Sequence, residues 1–176
     1  MDAIQLKLPA LEDESRAEEF KNEFFANGEK VINGSALYDQ MEYREWLIHT
    51  NHCANAETVS DDWVVSTNFF AVRKSDEHIV GIIDIRHSLD HPFLAQYGGH
   101  IGYAVRPSER QKGYATQMLK LALDYAKSIG LNKVMLGCYA DNASSIKTIN
   151  KCGGVLTETK PYADGKPMNV YWIALV

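Results

Sequence analysis

His-Ile-Gly-Tyr-Ala-Val-Arg-Pro-Ser-Glu-Arg-Gln-Lys-Gly-Tyr-Ala runs from His100 to Ala115. It reads as a strand over residues 100–105, a stop at Pro107, a basic glycine-containing loop, and the start of a helix. A helix N-terminus carries backbone N–H groups with no intrahelical acceptor, together with the positive end of the helix dipole. Arg110 and Lys112 add charge beside it, and Gly113 and Ala115 are small enough to let a ligand approach the backbone. Such an arrangement binds anions, and its natural guest is a pyrophosphate. Neither Gly-x-x-x-x-Gly-Lys-Ser/Thr nor Gly-x-Gly-x-x-Gly occurs, so the stretch is neither a P-loop nor a dinucleotide fingerprint. Taken alone, it is equally compatible with a capped surface turn.

Working outward, Ala115, Met118, Leu119, Ala122, Tyr125, Ala126 and Ile129 share one helical face, and Gly130 ends that helix. Residues 133–139 read as a strand. Asp141-Asn142 opens a short helix to Lys151, and residues 155–160 and 168–175 pair around Asp164-Gly165. Upstream, Ile79–Arg86 is a nearly continuous apolar run, as in a central strand, and residues 67–73 pair with it across a turn at 74–78. Ile4–Leu8 alternates as a first strand, ended by Pro9. Ser15-Arg-Ala-Glu18 has the pattern of a capping box opening a helix with Ala17, Phe20 and Phe24 on one face. A second helix is predicted from Tyr38 to about His49, and residues 50–62 read as irregular. The order is β α α β β β α β α β β. A strand–helix–strand crossing from His100 to Tyr139 predicts a locally parallel pair. The expected fold is α/β: a single domain over residues 1–176, with a mixed β-sheet and helices on both faces.

At 176 residues the chain is long enough for one sizeable core. A net charge of −5 argues against a general nucleic-acid binder and is compatible with a cationic substrate. No stretch of about 18 apolar residues and no signal-peptide pattern is present, so no membrane partner and a cytoplasmic location are expected. Cys53, Cys138 and Cys152 are odd in number and widely spaced, which predicts reduced, mostly buried thiols and no metal site.

In element order and motifs the chain resembles the GCN5-related N-acetyltransferase (GNAT) superfamily. That family carries Arg/Gln-x-x-Gly-x-Gly/Ala between its fourth strand and third helix, and Arg110-x-x-Gly113-x-Ala115 stands in the matching place. Val105-Arg106-Pro107 before it, and Asp141-Asn142-x-x-Ser145 and Lys151-Cys152-Gly153 after it, are similar too. The resemblance spans about Phe69 to the C-terminus. It implies a GNAT-like fold, acetyl-CoA as co-substrate and an amine acceptor, small molecule or peptide. It also implies that Tyr103, Ala104 and Val105 meet the pantetheine and thioester. Arg110, Gln111, Lys112, Gly113, Tyr114 and Ala115 would hold the pyrophosphate, and Asn142 and Ser145 would face the pantetheine or phosphate arm. The family parts the strands matched by residues 100–105 and 134–139 to make a cofactor slot.

Acetyl transfer needs a neutral amine, hence a route for its proton. In several relatives a Glu serves from the position matched here by His100, and an imidazole titrating near 6.5 suits that task. The competing reading of His100 is a structural histidine bonded to backbone. Asp84, Arg86 and His87 end the neighbouring strand; they line an acceptor pocket or form a salt-bridged strand end. Many relatives place a Tyr in the last helix as general acid, but Ile146-Lys-Thr-Ile-Asn150 has none, and Tyr139 is the substitute the resemblance suggests. Cys138 is a conceivable nucleophile, although strand alternation favours its burial. The expected activity is N-acetylation by direct transfer; the alternatives are a non-catalytic acyl-CoA-binding or sensor domain and a phosphate-binding regulatory module. A homodimer is compatible with the sequence.

Overall fold

The computed structural model, which describes residues 2–176, follows the predicted order of helices and strands. The elements are β1 (Ile4–Lys7), α1 (Glu14–Ala26), α2 (Tyr43–Cys53), β2 (Ser66–Arg73), β3 (Ile79–Arg86), β4 (Ile101–Val105), α3 (Tyr114–Ser128), β5 (Lys133–Tyr139), α4 (Ala143–Lys151), β6 (Val155–Pro161) and β7 (Pro167–Ala174). One sheet has the order β1-β2-β3-β4 and the other β5-β7-β6, and every ladder in them is antiparallel.

The parallel pair expected between β4 and β5 does not form a ladder among the described residues. The two strands meet only at their starts. There the His100 N–H donates to the Met135 carbonyl at 2.8 Å, the Met135 N–H donates to His100 Nδ1 at 2.9 Å, and Gly99 bridges Leu136. The bridge is antiparallel, and the His100 carbonyl that a parallel ladder would use next already accepts from the Arg86 N–H. The crossover through α3 brings β5 beside β4, as predicted, but the pairing stops after this one junction.

Helices cover both faces of the first sheet. Met118, Leu119, Ala122 and Ala126 of α3 and Ile149 of α4 bury against Val80, Ile83, Ile85 and Ile101. Phe20 and Phe24 of α1 and Trp46 of α2 pack with Phe70, Ile79 and Ile82 on the opposite face. Gly81 lets α3 close in, since a Cβ there would stand 2.6 Å from the Met118 sulfur. Strand alternation sorts β4 between the two cores, with Tyr103 and Val105 toward α3 and α4, and Ala104 toward α1.

Two N-terminal expectations are corrected. The Ser15–Glu18 capping box does not form, because a 3-10 turn over Leu11–Asp13 leads straight into α1. The buried Asp13 organises that entry, accepting from the Ala10 N–H at 2.9 Å and from Lys7 at 2.6 Å. The second helix starts at Tyr43 because Tyr38–Gln40 is a separate turn, and it runs on to Cys53 in the stretch read as irregular.

The segment between α1 and α2 crosses over β4 at Gly34, whose φ is +70° and whose Cβ, if present, would collide with the Gly102 carbonyl. Gly34→Ala is expected to cost roughly 2–4 kcal/mol, combining left-handed strain with the collision. Gly28→Ala, at φ +80° with open space around it, should cost only about 1 kcal/mol. Urea midpoints at unchanged m-value measure both.

Candidate active site

A cavity of about 820 Å³ lies between the free edge of β4, the loop before α3, the exposed face of α4 and residues 24–33. Of the cofactor residues expected from the sequence, Tyr103, Ala104, Val105, Arg110, Gln111, Gly113, Tyr114, Ala115, Asn142 and Ser145 line it. Lys112 does not; its ammonium pairs with Glu109 at 3.0 Å.

The loop is shaped to present N–H groups. Gln111 has φ +61° and Gly113, the residue before α3, has φ +86°, so left-handed residues alternate with ordinary ones. That alternation turns successive peptide N–H groups toward one point, an anion-binding nest. The backbone N–H groups of residues 111–116 have no acceptor among the described residues. A run of orphan donors at a helix start is the fit a pyrophosphate requires. Gln111 is a residue type that rarely takes positive φ, which is why the sequence reading did not single out its backbone.

The loop's cations are differently placed from the sequence expectation. Arg110 donates to Glu29 at 2.9 Å and to the Val105 carbonyl at 3.1 Å. Lys112 and Arg73 share the buried Glu109, and Arg106 pairs with Glu23. Burial pushes Glu29 up, but hydrogen bonds from Arg110 and Asn27 outweigh it, so its carboxyl lies below the usual carboxylate range. Glu23 and Glu109 are lowered in the same sense by Ser108 with Arg106 and by Lys112 with Arg73, against their burial. Arg110 and Lys112 thus already have carboxylate partners. Glu23 and Glu29 reach the loop from α1 and the turn after it, some 80 residues away in sequence, and no local motif marks them.

At the other end of the cavity is the unpaired edge of β4. The Arg106 N–H donates to Val80 O at 2.8 Å and the Arg86 N–H to His100 O at 2.7 Å. By strand alternation the peptide groups of Tyr103 and Val105 therefore face away from β3. Arg110 occupies the Val105 carbonyl, which leaves the Val105 N–H and both the N–H and C=O of Tyr103. The Tyr103 hydroxyl lies 3.3 Å from Ser145 Oγ, bridging β4 and α4 across the cavity wall. Burial raises its pKa above that of an ordinary phenol, more than Ser145 and Thr148 lower it. Asn142 caps α4, its Oδ1 accepting from the Ser145 N–H at 3.2 Å.

The catalytic and pocket residues named from the sequence lie elsewhere. His100 is 6% exposed and its Nδ1 accepts the Met135 N–H, so its proton sits on Nε2 and its basic lone pair is engaged. Burial, then the Arg86 charge, hold its pKa down to about 4. That is the geometry of a structural clamp and not of a free base. The Tyr139 hydroxyl donates to Asp164 at 2.7 Å, outside the cavity, and this bond with burial pushes its pKa up to about 12. Asp84 and Arg86 form an ion pair at 2.9 Å on the α1–α2 side of the sheet, with Asn68 bridging Asp84 to the Gly34 carbonyl. Burial raises the Asp84 pKa, against Arg86. His87 is on the opposite face, 2.9 Å from Thr67 Oγ1, so the structure does not gather the three residues. None of them lines the cavity. Cys138 is buried, and burial pushes its thiol up to about 11.

The profile of the acetyltransferase (GNAT) domain family matches residues 5–155, and the chain belongs to that family. The match takes in the N-terminal helices, which lie upstream of the motif resemblance, and ends where β6 begins. Among solved structures, the ribosomal-protein-S5-alanine acetyltransferase from Vibrio fischeri is similar at a TM-score of 0.73 and 16% identity, covering 99% of this chain and 94% of that one. The microcin C7 self-immunity acetyltransferase MccE, in complex with acetyl-CoA and AMP, is similar at 0.71 and 20% identity, covering 99% and 93%. For yncA from Salmonella typhimurium, solved with acetyl-CoA, the figures are 0.68 and 14%, covering 99% and 95%. At these identities the likeness is one of fold. Comparison with curated proteins gives no match.

The His100 clamp makes stability depend on pH. Its folded pKa of about 4 lies below the unfolded value of about 6.5, so the unfolded chain binds the extra proton between them. The clamp's contribution is complete above pH 6.5 and is lost as pH falls toward 4, by up to about 3 kcal/mol. His100→Gln, whose amide oxygen can still accept a hydrogen bond, should flatten that slope. Denaturation midpoints at pH 7.5, 6 and 5 for both proteins give the difference.

Proposed function

We propose that this protein is an N-acetyltransferase that moves the acetyl group of acetyl-CoA directly onto an amine, of a small molecule or a peptide. The observation that carries this reading is the row of orphan N–H groups at residues 111–116, opening into the same cavity as the Tyr103 edge. The nest holds the pyrophosphate, and the Tyr103 peptide groups pair with the amides of the pantetheine arm. Acetyl-CoA supplies an activated acetyl group, whose C–S bond breaks as a C–N bond to the neutral amine forms.

The chain's own residues supply position and one proton. The Tyr103 hydroxyl, held by Ser145, donates that proton to the sulfur, the part that Tyr139 was expected to play. Its raised pKa keeps it protonated at neutral pH, as a donor must be. The amine's surplus proton passes to water, and His100 keeps β4 and β5 joined without titrating. Three free thiols agree with action in a reducing compartment, the cytoplasm.

Thiol release over a panel of monoamines, polyamines, amino acids and peptides tests the reading. Turnover on one class supports it, whereas tight acetyl-CoA binding with no turnover on any amine marks a binding or sensor domain. Tyr103→Phe should lower kcat roughly 100-fold with little change in KM for acetyl-CoA; a change confined to KM removes Tyr103 from the chemistry. With an amine that titrates near pH 10, kcat/KM should climb steadily from pH 6 to 9, without the inflection near 6.5 that a histidine base imposes. Glu29→Gln frees Arg110 for the phosphates and should tighten acetyl-CoA binding several-fold, read by calorimetry.

A further inference from the structure

The sheet face beneath α1 and α2 turns from apolar to polar just past the cavity. Phe70, Ile82 and Ala104 stand side by side across β2, β3 and β4 on that face. One pleat further on, the row is Asn68, Asp84 and Gly102, and Arg86 follows on β3. Asn68 and Asp84 are buried, and 14% of the Arg86 side chain is exposed. Buried polar groups are normally hydrogen-bonded in full, and these are not. Asn68 Nδ2 reaches Gly34 and Asp84, yet Asn68 Oδ1 has no donor among the described residues. Arg86 Nε lies 2.9 Å from Asp84 Oδ2, but its N–H has no aligned acceptor. Its terminal nitrogens make one hydrogen bond among the described residues, a long one of 3.4 Å to the Gly98 carbonyl. The guanidinium thus keeps most of its donor fork unengaged.

That fork adjoins the cavity on two sides. A Cβ on Gly102 would stand 3.2 and 3.3 Å from the terminal nitrogens of Arg86 and 3.4 Å from the Gly34 Cα. Gly102 precedes Tyr103 and Gly34 follows Asn33, and both Tyr103 and Asn33 line the cavity. The guanidinium therefore lies one residue beyond the cavity along β4 and along the segment between α1 and α2. On the opposite face the Tyr103 side chain and Ser145 of α4 close the approach. An amine heading for an acyl group at the Tyr103 edge comes from the Arg86 side. A planar guanidinium with paired N–H groups to offer fits a carboxylate. Resting on the acetyl-CoA reading, we infer that Arg86 anchors a carboxylate on the acceptor, and that the acceptor is an amino acid or a close analogue with amine and carboxylate a few bonds apart. Asp84 is then a positioning residue that holds the guanidinium against Gly102, and Asn68 ties Asp84 to the Gly34 crossing. A zwitterion has no net charge, so the chain's overall −5 does not repel it.

Calorimetry with a panel of α-, β- and γ-amino acids, each against its carboxamide, tests the assignment on the free and the CoA-loaded chain. At least one amino acid should bind about tenfold or more tightly than its amide. Arg86→Gln alone strands a buried carboxylate, so Asp84→Asn/Arg86→Gln, which removes both charges, is the first variant. Arg86→Lys, which keeps the charge without the fork, is the second. The double variant should lose nearly all of the acid-over-amide ratio, and Arg86→Lys should lose part of it. A pair that only braces the fold would move the melting temperature and leave the ratio intact, which overturns the inference. Amides that match their acids on the unaltered chain overturn it too, as does a panel in which nothing binds or turnover confined to amines without a carboxylate. Amino acids that bind with the expected ratio while no amine releases CoA leave the Arg86 site standing and remove the acetyl-transfer reading instead.

Discussion

The structure depends on one junction, where His100 and Met135 exchange hydrogen bonds between two sheets. The backbone bridge at this point, Gly99 with Leu136, is antiparallel, and the His100 carbonyl is already taken by the Arg86 N–H, so no parallel ladder continues from it; the imidazole adds a second bond by taking the Met135 N–H. Beyond it, β4 keeps an unpaired edge, and the Tyr103 peptide groups become available to a ligand. A group titrating in the neutral range would make the junction come and go with pH. Burial, assisted by Arg86, removes that risk by holding the imidazole neutral.

The second organising constraint is electrostatic. An anion site built from backbone N–H groups has full strength only if no protein acceptor competes for them. The loop meets this by carrying no side-chain cap at Gly113 and by accepting left-handed geometry at Gln111. Its neighbouring cations are then tied by Glu23, Glu29 and Glu109, which fixes the loop's shape. On the facing wall of the cavity, Lys147 and Lys151 of α4 have no such carboxylate partner among the described residues, so the loop's charge is balanced while that of α4 is not.

Much of the fold was legible because it rests on short-range signals. Helical spacing from Ala115 to Ile129, the apolar run of β3, and Gly130 and Pro107 as stops each reflect local sterics or burial on one face. The loop that lines the cavity was legible for the same reason, since a glycine loop entering a helix is a local arrangement. The misreadings share the opposite property. The capping box failed because Asp13 is held from Lys7 and Ala10; the parallel ladder failed because the His100 carbonyl is held by Arg86 and the bridge beside it is antiparallel. His100 and Tyr139 acquired roles through partners 35 and 25 residues away.

By itself the sequence determined the order of elements, their sidedness and the position of a backbone anion cradle, because periodicity, glycine and proline act within a few residues. Only the tertiary structure decided which charges in that cradle are free, which tyrosine reaches the cavity and whether His100 can accept a proton. Those properties depend on burial and on partners contributed by distant segments, chiefly Glu29 against Arg110, Ser145 against Tyr103 and Met135 against His100. Pairing and desolvation set what an ionisable group can do, and neither is encoded at the position of the group itself.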